Sequence, residues 1–311
     1  MILVNDTSTN VTADFDNPRV GNTVIQLRSG DRTVDFTGDS NTYTGVLRVE
    51  ASEGVQTVNA TVTTDLNVDG TFIFNGRVGS DELVATRPVA ISEAMLLRGV
   101  NTFVNNAGVN VTGDFNVITL TETEDTRLIS NASFEVGGNL TYLGGGGVDE
   151  VNFKSGATIG GFTYVDLADS TDFTRKQRSL FSGGFSTNNL VVDGGQSLAG
   201  IVFATDSETR VTEEVIVNLS NSSFPNTARF FGTYLGGYGT YRGGSNSDVV
   251  TLGAEATDML FAALTSTGND VFVIDPATDL DYLFIDFGLG NDTLDNQKGD
   301  PLPFDHQFVN L

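Results

Sequence analysis

The chain of 311 residues has no cysteine and no tryptophan, one histidine, and only 6 prolines and 3 methionines. Without cysteine there is no disulfide framework and no thiolate metal site, so stability must come from packing and, where present, bound ions. Basic residues are also scarce. The 16 Lys and Arg against 40 Asp and Glu leave a net charge of −24, which argues against nucleic acid or an anionic membrane as partner, since both need basic patches. So many carboxylates suit a calcium-rich exterior, and equally a long surface kept soluble by charge. No run approaches the ~18–20 apolar residues of a membrane span. The opening Met-Ile-Leu-Val-Asn-Asp is too short and too acidic for a secretory signal. The composition still suggests export, with a signal removed or the chain part of a longer one. Asn-x-Ser/Thr triplets at Asn59, Asn110, Asn131 and Asn139 would accept glycans in a secretory setting.

What the chain does contain is glycine (36) and phenylalanine (22), with many Val, Thr and Asn. These favour short strands and tight turns over long helices. An acidic phrase recurs behind Gly-rich turns: Gly243-Gly-Ser-Asn-Ser-Asp248, Gly268-Asn-Asp270 and Gly288-Leu-Gly-Asn-Asp292. The aspartates are 22 residues apart at each step. Gly144-Gly-Gly-Gly-Val-Asp149 and Gly76-Arg-Val-Gly-Ser-Asp81 have the same form. Asp81 to Asp149 is 68 residues, near three periods, and Asp149 to Asp248 is 99, which implies an insertion or a shifted rung. A second phrase interleaves, at Gly70-Thr-Phe-Ile-Phe74, Gly113-Asp-Phe-Asn-Val117, Gly138-Asn-Leu-Thr-Tyr142 and Gly161-Phe-Thr-Tyr-Val165. Each period therefore carries at least two strands, and alternation within them sends one side chain inward and the next outward.

A period of this length predicts a solenoid: an all-β, right-handed parallel β-helix of about 22–25 residues per rung, in which stacked rungs bury a core that none could form alone. The length gives about fourteen rungs and, at the ~4.8 Å strand spacing, a rod of roughly 65 Å. Residues 1–45 repeat poorly and are expected as an N-terminal cap. Residues 46–298 form the solenoid, with a loop excursion near 170–185 around Arg175, Lys176 and Arg178, and residues 299–311 form a C-terminal tail. Two segments, 88–98 and 254–264, are the candidates for short helices or capping turns.

The run from Gly144 to Asn152 resembles the Gly-Gly-x-Gly-x-Asp nonapeptide of the calcium-binding RTX β-roll, and Gly288 to Asp295 fits it with one glycine missing. The resemblance implies calcium between coils and nominates Asp149, Asp248, Asp270 and Asp292 as its ligands. RTX nonapeptides follow one another directly, whereas here they return once per ~22 residues. The chain is thus more similar to right-handed parallel β-helix proteins of the bacterial surface. Stacked one above another about 5 Å apart, these aspartates would repel by ~0.8 kcal/mol in water and ~3 kcal/mol at an effective dielectric of 20. Exposure, Asx-turn hydrogen bonds, offset rungs or bridging calcium would each relieve this.

No catalytic constellation is evident. His306 has no Ser or Cys partner in a known motif, and Gly236 to Gly244 lacks the Lys-Ser/Thr of a phosphate loop. Arg175 and Lys176 are the bases a polysaccharide lyase would use. Glu122, Glu124, Asp125 and Glu150, or Asp166, Asp169 and Asp172, are the carboxylates a hydrolase would need. Tyr234, Tyr238 and Tyr241 could stack on sugars or pack in the core. The leading expectation is a non-enzymatic, extracellular structural protein of the bacterial surface that associates with copies of itself, with calcium as a possible stabiliser. An adhesin or glycan-binding module and a lyase or hydrolase are the alternatives.

Overall fold

The computed structural model describes residues 2–6, 10–14, 19–27, 31–37, 41–51, 58–76, 80–120, 123–299, 301–302 and 305–311. Its described elements are 32 strands, β1 (Ile2–Asp6) to β32 (Asp305–Val309), with no helix among them. All named strand pairs are parallel, which makes the chain a β-solenoid. In the regular part three strands complete a turn. β10 (Phe72–Asn75), β11 (Glu82–Ala85) and β12 (Val89–Ile91) are followed by β13 (Met95–Arg98), β14 (Thr102–Asn105) and β15 (Val109–Val111), each pairing with its counterpart three strands earlier.

The two sequence phrases are two sides of this coil. The Gly-led phrases are β10, β16 (Phe115–Ile118), β19 (Leu140–Leu143) and β22 (Phe162–Asp166), which with β13 stack on one ladder. The acidic phrases open strands of the second ladder, including β11, β20 (Glu150–Phe153), β29 (Val271–Ile274) and β31 (Thr293–Asn296). The third side is made of strands only three residues long, such as β12, β15, β18 (Phe134–Val136) and β21 (Ala157–Ile159). In the C-terminal half corners straighten. β24 (Ser186–Asp193), β26 (Arg210–Asn218), β27 (Thr227–Arg242) and β28 (Val249–Leu264) each run along more than one side. Thirty-two strands at three to a turn would give about eleven turns, but because of these long strands the first ladder, from β1 to β32, counts fourteen.

Residues 88–98 and 254–264, expected as helices or capping turns, are strands: the first contains β12 and β13, and the second lies within β28. In 88–98 the apolar residues follow the two-residue alternation of a coil wall, and in both segments the ladder hydrogen bonds override the helix propensity of Ala, Met and Leu. The first 45 residues carry β1–β6, which pair in register with later turns. In the tail, β32 extends the first ladder. The step from Thr163 to its partner Leu190 is 27 residues, against 20 from Met95 to Phe115, because the loop at 167–176 leaves the wall there. From Asp149 to Asp248 is therefore four turns plus this insertion.

Strands read buried–partly buried–buried along their length, as in β5 (Arg32–Thr37) and β25 (Ile201–Thr205). The inward side chains form one continuous core. Its spine is a train of phenylalanine rings, Phe103, Phe115, Phe134, Phe153, Phe181, Phe203, Phe230 and Phe261, with successive centroids 5.0–6.2 Å apart. Phe134 touches rings on both sides and is fully buried. Phe134→Ala should therefore destabilise by about 3–5 kcal/mol, and Phe134→Leu by markedly less, read as the shift in urea midpoint.

Candidate functional site: an internal column of acceptors

At the entrance to the second side of the coil, one inward position per turn is occupied by Asp81, Asn101, Thr126, Asp149, Gln177, Ile201, Asn226, Asp248, Asp270 and Asp292. These residues precede the register-paired series Glu82, Thr102, Arg127, Glu150, Arg178, Val202, Thr227, Val249, Val271 and Thr293. Here the chain rounds a corner, and the backbone N–H faces a gap in the ladder. At seven of these corners a side chain of the next turn fills it, whereas the Asn101 N–H bonds the Asp81 carbonyl and Ile201 offers no side-chain acceptor. Asp81 Oδ1 accepts from the Val58 N–H at 2.7 Å, Asn101 Oδ1 from Asp81 at 2.8 Å, and Asp149 Oδ1 from Thr126 at 3.1 Å. Further along, Asn226 Oδ1 accepts from Ile201 at 3.0 Å and Asp248 Oδ1 from Asn226 at 2.9 Å. Asp270 and Asp292 then accept from Asp248 and Asp270, each at 2.7 Å. A buried N–H left without an acceptor would cost about 1–3 kcal/mol, so each cap matters.

The phrase that carries an aspartate also makes room for it. Gly76, Gly144 and Gly243 each stand five residues before Asp81, Asp149 and Asp248. A Cβ at any of them would lie 2.1–2.2 Å from the carboxylate Oδ2. Two residues earlier an aromatic ring packs beneath: Phe74, Tyr142 and Tyr241 are all buried. The Tyr241 hydroxyl donates to Asp248 Oδ2 at 3.1 Å, and the Tyr142 hydroxyl to the Thr126 carbonyl at 2.6 Å. Aromatic-x-Gly-x4-Asp is thus one packing unit. The glycine spacing was visible in the sequence. Asn101, Thr126, Gln177 and Asn226 were missed because no glycine-rich phrase announces them, and only the register places them in the column.

Burial shifts these groups. Asp149 is pushed up to about 8, chiefly by desolvation, against the pull of the Gly145 and Thr126 N–H groups. Asp248 and Asp270 are raised for the same first reason, and neighbouring aspartates add to the rise at Asp270. Tyr142 and Tyr241 are raised well above the usual phenol range by burial and by the carboxylates beside them. The residues nominated for calcium thus lie one per turn inside the wall, with each Oδ1 already accepting a backbone N–H. Oδ2 of Asp149, Asp270 and Asp292 has no hydrogen-bond partner. Among the described residues no group of three or more His, Asp or Glu is arranged to hold a metal ion. The donor set fits capping of the preceding turn better than it fits a cation.

Outside the wall, the candidate catalytic side chains are distributed otherwise. Arg175 forks between Asp125 and Asp172, with Nη1 to Asp125 Oδ2 at 2.5 Å and Nε to Asp172 Oδ2 at 2.8 Å. Burial draws the Asp125 carboxyl upward, but Arg175, the Val148 N–H and Arg127 outweigh it and hold the group below the usual range. Asp172 is lowered by the backbone and side chain of Thr174 and by Arg175. Lys176 Nζ donates to the Pro225 carbonyl at 3.3 Å, so both bases tie the excursion to the wall. Glu124 accepts from Asn101 Nδ2 at 2.7 Å, Glu150 from Asn152 Nδ2 at 3.0 Å, and Glu122 lies outside the described residues. Asp166 and Asp193 are register partners, and with Asp169 they line a cleft of about 670 Å³ together with Gly144 and Gly145. Each of these three carboxylates accepts a nearby backbone N–H, from Ala168, Gly195 and Gln196 respectively. Tyr234 and Tyr241 are core residues, while Tyr238 is 60% exposed. The exposed His306 ring lies 5.1 Å from Phe308.

Comparison with protein-family models, with curated proteins and with solved structures found no match.

The raised carboxyls set a pH dependence. Asp149 has a folded-state value of about 8 against the ordinary value of 3.8, so between these limits the folded chain binds more protons than the unfolded one. Stability is then greatest at the acid end of that window and falls as pH rises toward 8. Asp149→Asn keeps the acceptor and cannot ionise. It should flatten this slope in melting temperature against pH, leaving the residual slope of Asp248 and Asp270. Gly144→Ala should cost about 1–3 kcal/mol through overpacking, and less when combined with Asp149→Ser, measured by denaturant titration of both variants.

Proposed function

We propose that this chain is a non-enzymatic structural protein of an extracellular, bacterial-surface kind, which associates end to end with copies of itself. The observation that carries the reading is the direction of the acceptor column. From Ile201 to Asp292 four successive corners are each capped by the turn that follows, so this part of the ladder extends by adding turns of the same kind. At its C-terminal end β31 and β32 pair on one side only, and Leu294 and Phe308 are only partly buried against the core. Strand edges and half-covered apolar side chains of this sort favour a further parallel strand. The surface setting rests on the acidic, cysteine-free composition.

Sedimentation velocity and negative-stain microscopy test this. Concentration-dependent rods of uniform width are expected, and Phe308→Lys should shift the population to monomer without lowering the melting temperature appreciably. A monomer at every concentration would sink the reading. The same runs with a chelator test calcium as a stabiliser. A calcium-bound assembly would lose melting temperature or length on chelation.

A further inference from the structure

On the outer face of the first ladder, a strip of apolar side chains runs along the coil axis where a solvated wall would be polar. Tyr238, Leu260 and Tyr282 are register partners on successive turns. Tyr238 is 60% and Leu260 37% exposed. Phe284, partly exposed, lies beside them two residues beyond Tyr282. Both ends of the strip are carboxylates. Asp305 pairs with Tyr282 on the last turn, and Glu214 precedes the Val215–Gly239 pair on the turn before Tyr238. Two strand spacings separate the tyrosines, about 9.5 Å, a distance close to the disaccharide repeat of an extended β-1,4-linked glycan. Sugar rings present C–H faces that pack on aromatic rings, and an exposed aromatic patch with polar ends marks an interaction site.

From this geometry we infer that the strip is a binding site for a linear β-1,4-linked amino-sugar polymer lying along the solenoid axis. Charge selects the occupant. The bracketing carboxylates and the net charge of −24 oppose polyuronates and a second copy of this acidic face, and attract protonated amines. Tyr238 and Tyr282 support successive disaccharides, and Glu214 and Asp305 take the amino groups at either end. The inference is independent of the end-to-end reading, since these side chains lie on the flank of the coil.

The test is calorimetric titration of the full chain with a glucosamine hexamer, its N-acetylated counterpart, cellohexaose and poly-lysine. The glucosamine hexamer should bind best, and the double variant Tyr238→Ala/Tyr282→Ala should lose at least about tenfold in affinity, or 1.4 kcal/mol. Poly-lysine, which reads charge alone, should bind that variant and the parent alike. Tyr238→Phe should retain binding, and Glu214→Gln should weaken it and reduce its salt dependence. The proposal is overturned by any of several results: no binding of the hexamer to the parent, undiminished binding to the double variant, equal loss for poly-lysine, or cellohexaose binding as tightly as the amino sugar. If sedimentation shows the double variant dissociating an assembly without sugar, the strip belongs to a second copy and the proposal also falls. A folding defect would appear as a lowered melting temperature. In that case Glu214→Gln with Tyr238→Phe as control decides the matter, and unchanged hexamer affinity in Glu214→Gln overturns amine recognition.

Discussion

Everything in this structure depends on satisfying backbone N–H groups at the corners of the coil. Along straight strands the parallel ladder does this automatically, but at each corner the chain bends away from its neighbour and a buried donor is left facing inward. At seven corners, from Val58 and Asp81 at one end to Asp270 and Asp292 at the other, the donor is met by a side-chain oxygen from the following turn. The fold is thus a sum of neighbour contacts, in which a turn so capped is incomplete until the next is laid down.

That constraint explains a choice of residues that otherwise conflicts with burial. A carboxylate inside a protein is costly, yet Asp149 and Asp248 have no exposed surface. Asn101 and Asn226 perform the same capping through Oδ1, so where the position caps, it uses an acceptor of Asx length and needs no charge. Asp149, raised to about 8 by burial, is a neutral acid over much of the pH range and behaves there much as an amide would. The glycine five residues upstream then follows from sterics, because the carboxylate folds back into the space a Cβ would take.

The solenoid and its period were legible in the sequence because two of the three sides announce themselves. Gly70, Gly113, Gly138 and Gly161 lead into strands of one ladder, and the spaced aspartates mark the other. The third side was not legible: Val89–Ile91 or Phe134–Val136 is too short for alternation to show. The helical expectation for 254–264 failed for a related reason. Ala, Met and Leu at such positions fit either period locally, and only pairing with β27 decides between them. The aspartates were recognised as turn-forming residues, but their inward direction was not, since a one-residue difference in register moves a side chain from solvent to core.

The same parity argument separates the tyrosines of β27. Tyr234 and Tyr241 are both buried although seven residues apart, an odd spacing that a straight strand would place on opposite faces. The phase changes at Gly237, whose φ of +80° and whose contact with the Glu213 carbonyl exclude a side chain. Beyond that corner Gly239 and Tyr241 face inward while Tyr238 turns outward, into line with Leu260 and Tyr282. One glycine with a left-handed backbone therefore assigns two tyrosines of a single phrase to the core and one to the surface. It is on that outer surface, and not in the capped interior, that side chains remain available to meet another molecule.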